Sequence, residues 1–402
     1  MMRVAIIGAG PAGLESALYA RALGHKPTVY EQGTAGESVA RWTHVRLFTP
    51  WRMILSPLAQ RELARRGGAT LDLAACPSGR ELMEQFLRPI AETLGPTVRT
   101  QTRVVGVSRA GLLKGEEIAS AARARRPFRL LLERGGDRSW AEADVVIDAS
   151  GSTQNPSPLG PGGLPAAGEE RLGDQIDHGL PDILGRERAR FARKRTLLVG
   201  GGHSAATNLL ALVDLCRMEG AGSIHWIVRS ERPYSPQTGD PLPGRRAVEE
   251  RAAQLVAGRD ALIETLCGAE VESISHDGTH FCALLRLPND AARTIEVDRV
   301  VAATGSRPDL SITRELQVHH CYASEGPMAL AAALLGGGAS SDCVKVPPVG
   351  PQAHRNPEPG FFVAGQKSYG RSTNYLMANG LSGIRDFFRL IEGDPALDLY
   401  AT

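Results

Sequence analysis

Two stretches limit what this chain can fold into more than any others. "RVAIIGAGPAGLESAL", from Arg3, and "RTLLVGGGHSAATNLL", from Arg195, each join an apolar run to a helix-forming run through closely spaced glycines. Such a turn brings backbone and the open N–H groups of a helix end up to a pyrophosphate. One turn holds one pyrophosphate, so two turns predict two dinucleotides. The chain's 402 residues suit two or three domains, and strand–turn–helix–strand units make the expected class α/β.

The first unit is complete over "RVAIIGAGPAGLESALYARALGHKPTVYE". Gly8 permits the sharp turn, Gly10 lets the backbone approach the pyrophosphate, and Gly13 lets helix and strand pack closely. Pro11 falls where the first helical turn has no use for an N–H, with Ala12 behind it. Leu14, Leu18 and Ala22 predict an inward stripe, Gly24 a helix stop, and "PTVY" the returning strand. Glu31 then stands at that strand's end, where a carboxylate accepts hydrogen bonds from a ribose diol.

The second turn keeps Gly200 and Gly202 but has Ala205 in the third position, and Ser204 is expected to cap the helix facing the phosphates. The following strand, "IHWIVRS", ends on Arg229, with Ser230 and Arg232 close behind. A carboxylate there would repel a 2′-phosphate, whereas a guanidinium binds one bidentately, so the expected nucleotide is NADPH. Glu231 keeps NADH open, because a shifted register would place an acid at the ribose. His203 is either a phosphate or ribose neighbour or an exposed loop residue.

Pro/Gly-rich crossovers bracket this second unit: "NPSPLGPGGLPAAG" leads in and "ATGSRPD" leads out. The expected division is 1–160 and 296–402 for the first dinucleotide domain and 190–295 for the inserted second one. Net charge is +2, too balanced to argue for nucleic acid or an anionic membrane. The basic cluster "RARRPFR" reads as a solvated hairpin or loop. The longest apolar run, "PMALAAALLGGGA", is short for a bilayer, and with a glycine turn within ten residues of Met1 no secretory signal is expected. Cys76, Cys216, Cys267, Cys282, Cys321 and Cys343 form neither Cys-x-x-Cys nor a metal-ligand spacing. Reduced thiols in a cytoplasm, and no metal, are therefore expected.

The form "GAGPAG…YE" near the N-terminus resembles the FAD site of flavoproteins with two dinucleotide-binding domains. The resemblance extends through "VGGGHSA", "ATG" and the linker "IDHGLPDILGRERARFARKRTLLVGGG" to single-component FAD/NADPH monooxygenases. It implies two Rossmann-like three-layer domains, with an NADPH domain inserted in a discontinuous FAD domain. Gln32, Arg41, Trp42, Arg46 and Val104 complete the FAD-binding set that it implies. Within "GESVARWTHVRLFTPWRM", Trp42, Arg46, Phe48 and Trp51 either pack on the flat flavin ring or enter the core.

"PGFFVAGQKSYGRSTNYLMANGLSGIRDFFRLI" resembles the family's closing motif, in which a Gly-Asp pair contacts the ribityl chain. Here Gln366 follows Gly365, and an amide still hydrogen-bonds ribityl hydroxyls. The helix behind it can stabilise negative charge on reduced flavin. Arg371, Asn374 and Cys343 are the catalytic candidates, with a surface role open for Arg371 and inert burial open for Cys343.

Hydride transfer from NADPH to FAD follows from two cofactors in one chain. The resemblance implies a monooxygenase acting through a C4a-(hydro)peroxyflavin on a small N-, S- or carbonyl-containing substrate, with dioxygen as co-substrate. The alternatives are an NADPH-dependent reductase serving a quinone, a metalloid or a small carrier without a redox disulfide, and a nucleotide-gated regulator without catalysis.

Overall fold

A computed structural model describes residues 1–67, 70–231, 240–336, 344 and 349–401. Arg232 and Cys343 lie outside the described residues. The chain divides into two compact units, one of Met1–Asn155 with Arg307–Thr402, the other of Pro156–Ser306.

The strands in chain order begin with β1 (Arg3–Ile7), β2 (Lys26–Tyr30), β3 (Val98–Arg99), β4 (Arg103–Arg109), β5 (Phe128–Arg134), β6 (Asp137–Ala143) and β7 (Val145–Asp148). The second unit carries β8 (Asp177–His178), β9 (Arg195–Val199), β10 (Ser223–Val228), β11 (Ile263–Cys267), β12 (Glu270–His276), β13 (Phe281–Arg286), β14 (Ala292–Val297) and β15 (Arg299–Ala302). The chain then returns to the first unit for β16 (Phe361–Val363). Four helices matter to the site: α1 (Pro11–Ala22), α2 (His203–Glu219), α3 (Pro243–Ala257) and α4 (Met377–Glu392).

Both units repeat one plan. The first has a five-stranded sheet in the order β16-β7-β1-β2-β3, and the second one in the order β11-β10-β9-β15-β8. Every pairing in both is parallel. Each unit adds a three-stranded antiparallel sheet, β4-β5-β6 in the first and β12-β13-β14 in the second. The α/β architecture with paired dinucleotide-binding units is therefore present.

Patterning explains the two kinds of sheet. All of β7, and β1 from Val4 to Ile7, are buried, as expected of parallel strands covered on both faces. In β5, by contrast, Phe128, Leu130 and Leu132 are buried and alternate with more exposed neighbours, so one face packs on the core.

Two sequence expectations need correction. Helix α1 has no single inward stripe: Ala12 through Ala20 are all buried, while Ala22 is exposed. The helix is enclosed, because Tyr19 on its far side stacks on Phe388 of α4 with centroids 4.7 Å apart. The cluster "RARRPFR" is not simply solvated either. Arg123 is fully buried, and its guanidinium lies 2.9 Å from the equally buried Glu358, which Arg109 also binds at 2.7 Å. Burial alone would raise the Glu358 carboxyl, but bonds from Arg123, the Gln317 N–H and Arg109 hold it below its ordinary value. This triad ties the antiparallel sheet to the turn that feeds β16.

Candidate functional site

The first glycine turn has the geometry a pyrophosphate cradle requires. Gly8 sits at φ +99°, and a Cβ there would lie 2.7 Å from the Ala149 carbonyl oxygen beyond β7. A Cβ on Gly13 would collide with the Gly8 carbonyl oxygen, so this helix-to-strand contact admits only glycine. Gly10 is different: a Cβ there would meet nothing within 4 Å. That open side lies where α1 begins with Pro11 and its first bond runs from the Leu14 N–H to the Gly10 carbonyl at 3.0 Å. The first-turn N–H groups of α1 thus have no partner inside the helix and suit an anion.

Glu31 follows β2 and is buried. One carboxylate oxygen accepts from the Ala9 N–H at 2.8 Å and the other from the Gly33 N–H at 2.9 Å. Both oxygens keep lone pairs for a diol, and the carboxylate is fixed before any ligand arrives.

These groups open on a cavity of about 680 Å³, within the range that takes a cofactor. Gly8, Gly10, Pro11, Ala12, Glu31, Gln32, Trp42, Val104, Gly365 and Gln366 all line it, so most of the expected FAD set converges. Gly13 supports the turn from behind. Arg41 lines a neighbouring cleft with Gln32 and Arg103. Arg46 stands away from the cavity, exposed, bonded to the Cys76 carbonyl and 3.3 Å from Glu81. Of the aromatic pair Trp42 and Trp51, only Trp42 reaches the cavity; Trp51 is buried in the core as the first residue of a short 3₁₀ turn.

The closing segment brings Leu376 and Met377, the start of α4, to the same wall. No side chain caps α4, and with Leu376 and Met377 in the wall the positive end of its dipole lies at the cavity. Arg371 and Asn374 do not line it. Arg371 pairs with Glu325 at 2.7 Å, and the Asn374 N–H lies 3.3 Å from the Ser372 hydroxyl. Beneath the wall, the buried Lys367 ammonium sits 2.7 Å from Asp148 and donates to the Ser150 hydroxyl at 3.0 Å. Ser150 is itself a lining residue, so a buried ion pair braces the loop after β7. Nothing in local spacing signals this pair, whose partners are distant in sequence.

In the second unit Gly200 sits at φ +135°, and a Cβ there would collide with the Ala303 carbonyl. The Trp226 indole N–H of β10 donates to the Gly200 carbonyl at 2.8 Å and fixes the turn. Ala205 is fully buried without strain. The helix cap is Gly202, with no side-chain bond, because helical geometry already begins at His203 and places Ser204 inside α2. The expectation that Ser204 caps the helix is therefore corrected. His203 is 2.7 Å from Glu249 of α3 through a ring nitrogen. Arg229 and Ser230 are exposed just beyond β10.

The family described as pyridine nucleotide-disulphide oxidoreductase matches residues 2–322, and the chain belongs to it. It is an oxidoreductase that uses FAD and a nicotinamide dinucleotide. The bacillithiol disulfide reductase Bdr (YpdA) from Bacillus cereus is 19% identical over 98% of this chain and 99% of its own, with TM-score 0.70. DfoA, the cadaverine monooxygenase of desferrioxamine biosynthesis from Erwinia amylovora, is 16% identical over 98% and 95%, with TM-score 0.69. The ornithine N-hydroxylase KtzI of Kutzneria sp. 744 is 16% identical over 97% and 98%, with TM-score 0.64. At these identities the likeness shows a shared fold. No curated protein sequence matches the chain. No described helix is long and apolar enough to cross a membrane, and no cluster able to hold a metal ion occurs among the described residues.

Proposed function

We propose that the first unit's cavity holds FAD, that the turn from Gly200 to Ala205 takes NADPH, and that the protein is a monooxygenase of a small substrate. One observation carries the part of this reading that keeps a protein disulfide out of the electron path. The cavity has the size and wall of a flavin site, yet no cysteine occurs among its described lining residues. Electrons leaving the flavin would then pass to dioxygen or another diffusible acceptor rather than to a protein disulfide.

The chain's own contributions are binding and shielding. The α1 N-terminus would receive the pyrophosphate, Glu31 the adenosine ribose, and Gly365 with Gln366 the ribityl chain. Trp42, Leu47, Ile54 and Met377 supply an apolar wall that excludes water from the ring. The α4 dipole would favour negative charge on the reduced ring. Bound FAD supplies hydride acceptance from NADPH and electron delivery to oxygen. Arg229 would recognise the 2′-phosphate.

A second reading, an NADPH-dependent reductase of a quinone, metalloid or small carrier, is favoured by the family description and by the likeness to Bdr. NADPH oxidation in air separates the two. The monooxygenase reading expects oxygen uptake that rises with a panel of amines, thioethers or ketones and yields oxygenated product. Rapid turnover with a quinone or metalloid, and no substrate-dependent oxygen uptake, would favour the reductase.

A further inference from the structure

The cavity wall holds a hydroxyl group without a strong acceptor among the described residues. Tyr375 lines the cavity directly before Leu376, the N-cap of α4. Among the described residues its phenol donates only to the Met377 thioether, at 3.4 Å, and sulfur of this kind is a weak acceptor. Burial drives the phenol's pKa far above its ordinary range, so the proton stays on the oxygen throughout the working pH range.

One glycine makes room for this hydroxyl. A Cβ on Gly380, in the first turn of α4, would collide with the Tyr375 oxygen. Glycine is otherwise a poor choice inside a helix, so helix propensity is given up to seat the phenol. A Cβ on Gly365 would lie 3.9 Å from the same oxygen and 3.0 Å from the Ala12 side chain. The hydroxyl thus lies against Gly380 and near Gly365, both in the closing segment. Tyr369 packs edge-on against the ring, with centroids 5.4 Å apart, and holds its plane.

We propose that the Tyr375 hydroxyl is a positioning hydrogen-bond donor to the ribityl–pyrophosphate part of FAD. This rests on the placement of FAD in the first unit's cavity. Ribityl hydroxyls and phosphate oxygens are far stronger acceptors than a thioether, so the bond to Met377 would be exchanged for one to the cofactor. Gln366, an amide where similar flavoproteins carry Asp, lines the same wall and removes a negative charge that would oppose phosphate.

The test is FAD titration of the apoprotein, read by quenching of flavin fluorescence, with the Tm of the apoprotein measured alongside. Tyr375→Phe keeps the ring and deletes one hydroxyl. It should raise the Kd for FAD about tenfold while leaving the apoprotein Tm unchanged. Gly380→Ala, which displaces the hydroxyl, should shift the Kd the same way. An unchanged Kd in Tyr375→Phe would overturn the inference, as would an apoprotein Tm that falls in proportion to the lost binding. Gly10→Val tests the placement separately, by crowding the pyrophosphate. If Gly10→Val binds FAD as tightly as wild type, the placement fails. If Gly10→Val loses FAD and Tyr375→Phe keeps it, only the donor role fails.

Discussion

The two glycine turns of this chain share one constraint and differ at the third position and at the end of the strand that follows. In each, the first glycine has a positive φ and faces a carbonyl just beyond a neighbouring parallel strand, Ala149 for Gly8 and Ala303 for Gly200. No side chain fits there in either unit. The third position differs, since Gly13 lies against the Gly8 carbonyl while its counterpart Ala205 is accommodated. The strand ends differ more. Glu31 is locked by two backbone N–H groups, whereas Arg229 stands exposed. The turn geometry is therefore a requirement of the fold, and the residue after the second strand is where the proposed reading has the ligand chosen.

The largest expected effect separates the third positions. Gly13→Ala forces a methyl onto a backbone oxygen, and folded protein carrying FAD should be lost. Ala205→Gly should cost only about 1–2 kcal/mol, the helix penalty for glycine plus the loss of one buried methyl. Chemical denaturation with flavin occupancy measures both, and equal effects would erase the distinction.

The units also differ in how their sheets are tied together. Glu358 is buried between Arg109 and Arg123, so Glu358→Ala leaves two buried guanidinium groups unpaired and should cost about 3–5 kcal/mol. In the second unit the partly exposed Arg195 pairs with Asp298 at 3.1 Å, and Arg195→Ala should cost at most about 1 kcal/mol. Denaturant midpoints of the two variants decide the matter.

A third contrast is pH dependence inside α1. Burial raises the Glu15 carboxyl from 4.5 to about 7, against the opposing bonds of Ser56 and Tyr400 and the charge of Arg61. A folded pKa above the unfolded one contributes stability that is complete below about 4.5 and is lost as pH rises through 7. That loss amounts to about 3 kcal/mol. Glu15→Gln should flatten the fall in Tm between pH 5 and 8. A slope equal to wild type would show that another group titrates.

The last effect, on affinity and not on stability, tests the strand ends. Arg229→Ala should weaken NADPH binding about tenfold to a hundredfold, or about 1.5–3 kcal/mol, and leave NADH nearly unchanged. Equal losses for both nucleotides would make the arginine a folding residue.

The turns were legible in the sequence because backbone geometry acts locally: a positive φ demands glycine at Gly8 and Gly200 whatever surrounds them. Glu31 was legible for the same reason, standing one residue past its strand. The Arg123–Glu358 pair was not, since its members are 235 positions apart and only the folded chain joins them. Trp42 and Trp51 looked alike in sequence, and burial alone told wall from core. Tyr375 carried no spacing signal at all. Its role rests on Gly380, which only packing shows to be making room for its oxygen.

The central claim is that electrons move between two bound nucleotides without a protein disulfide. Anaerobic titration of the FAD-loaded protein with NADPH tests it most directly. Full bleaching of the flavin is expected at one equivalent of NADPH, with no long-wavelength thiolate–flavin band. Consumption of two equivalents, with such a band at the midpoint, would reveal a redox-active disulfide and contradict it.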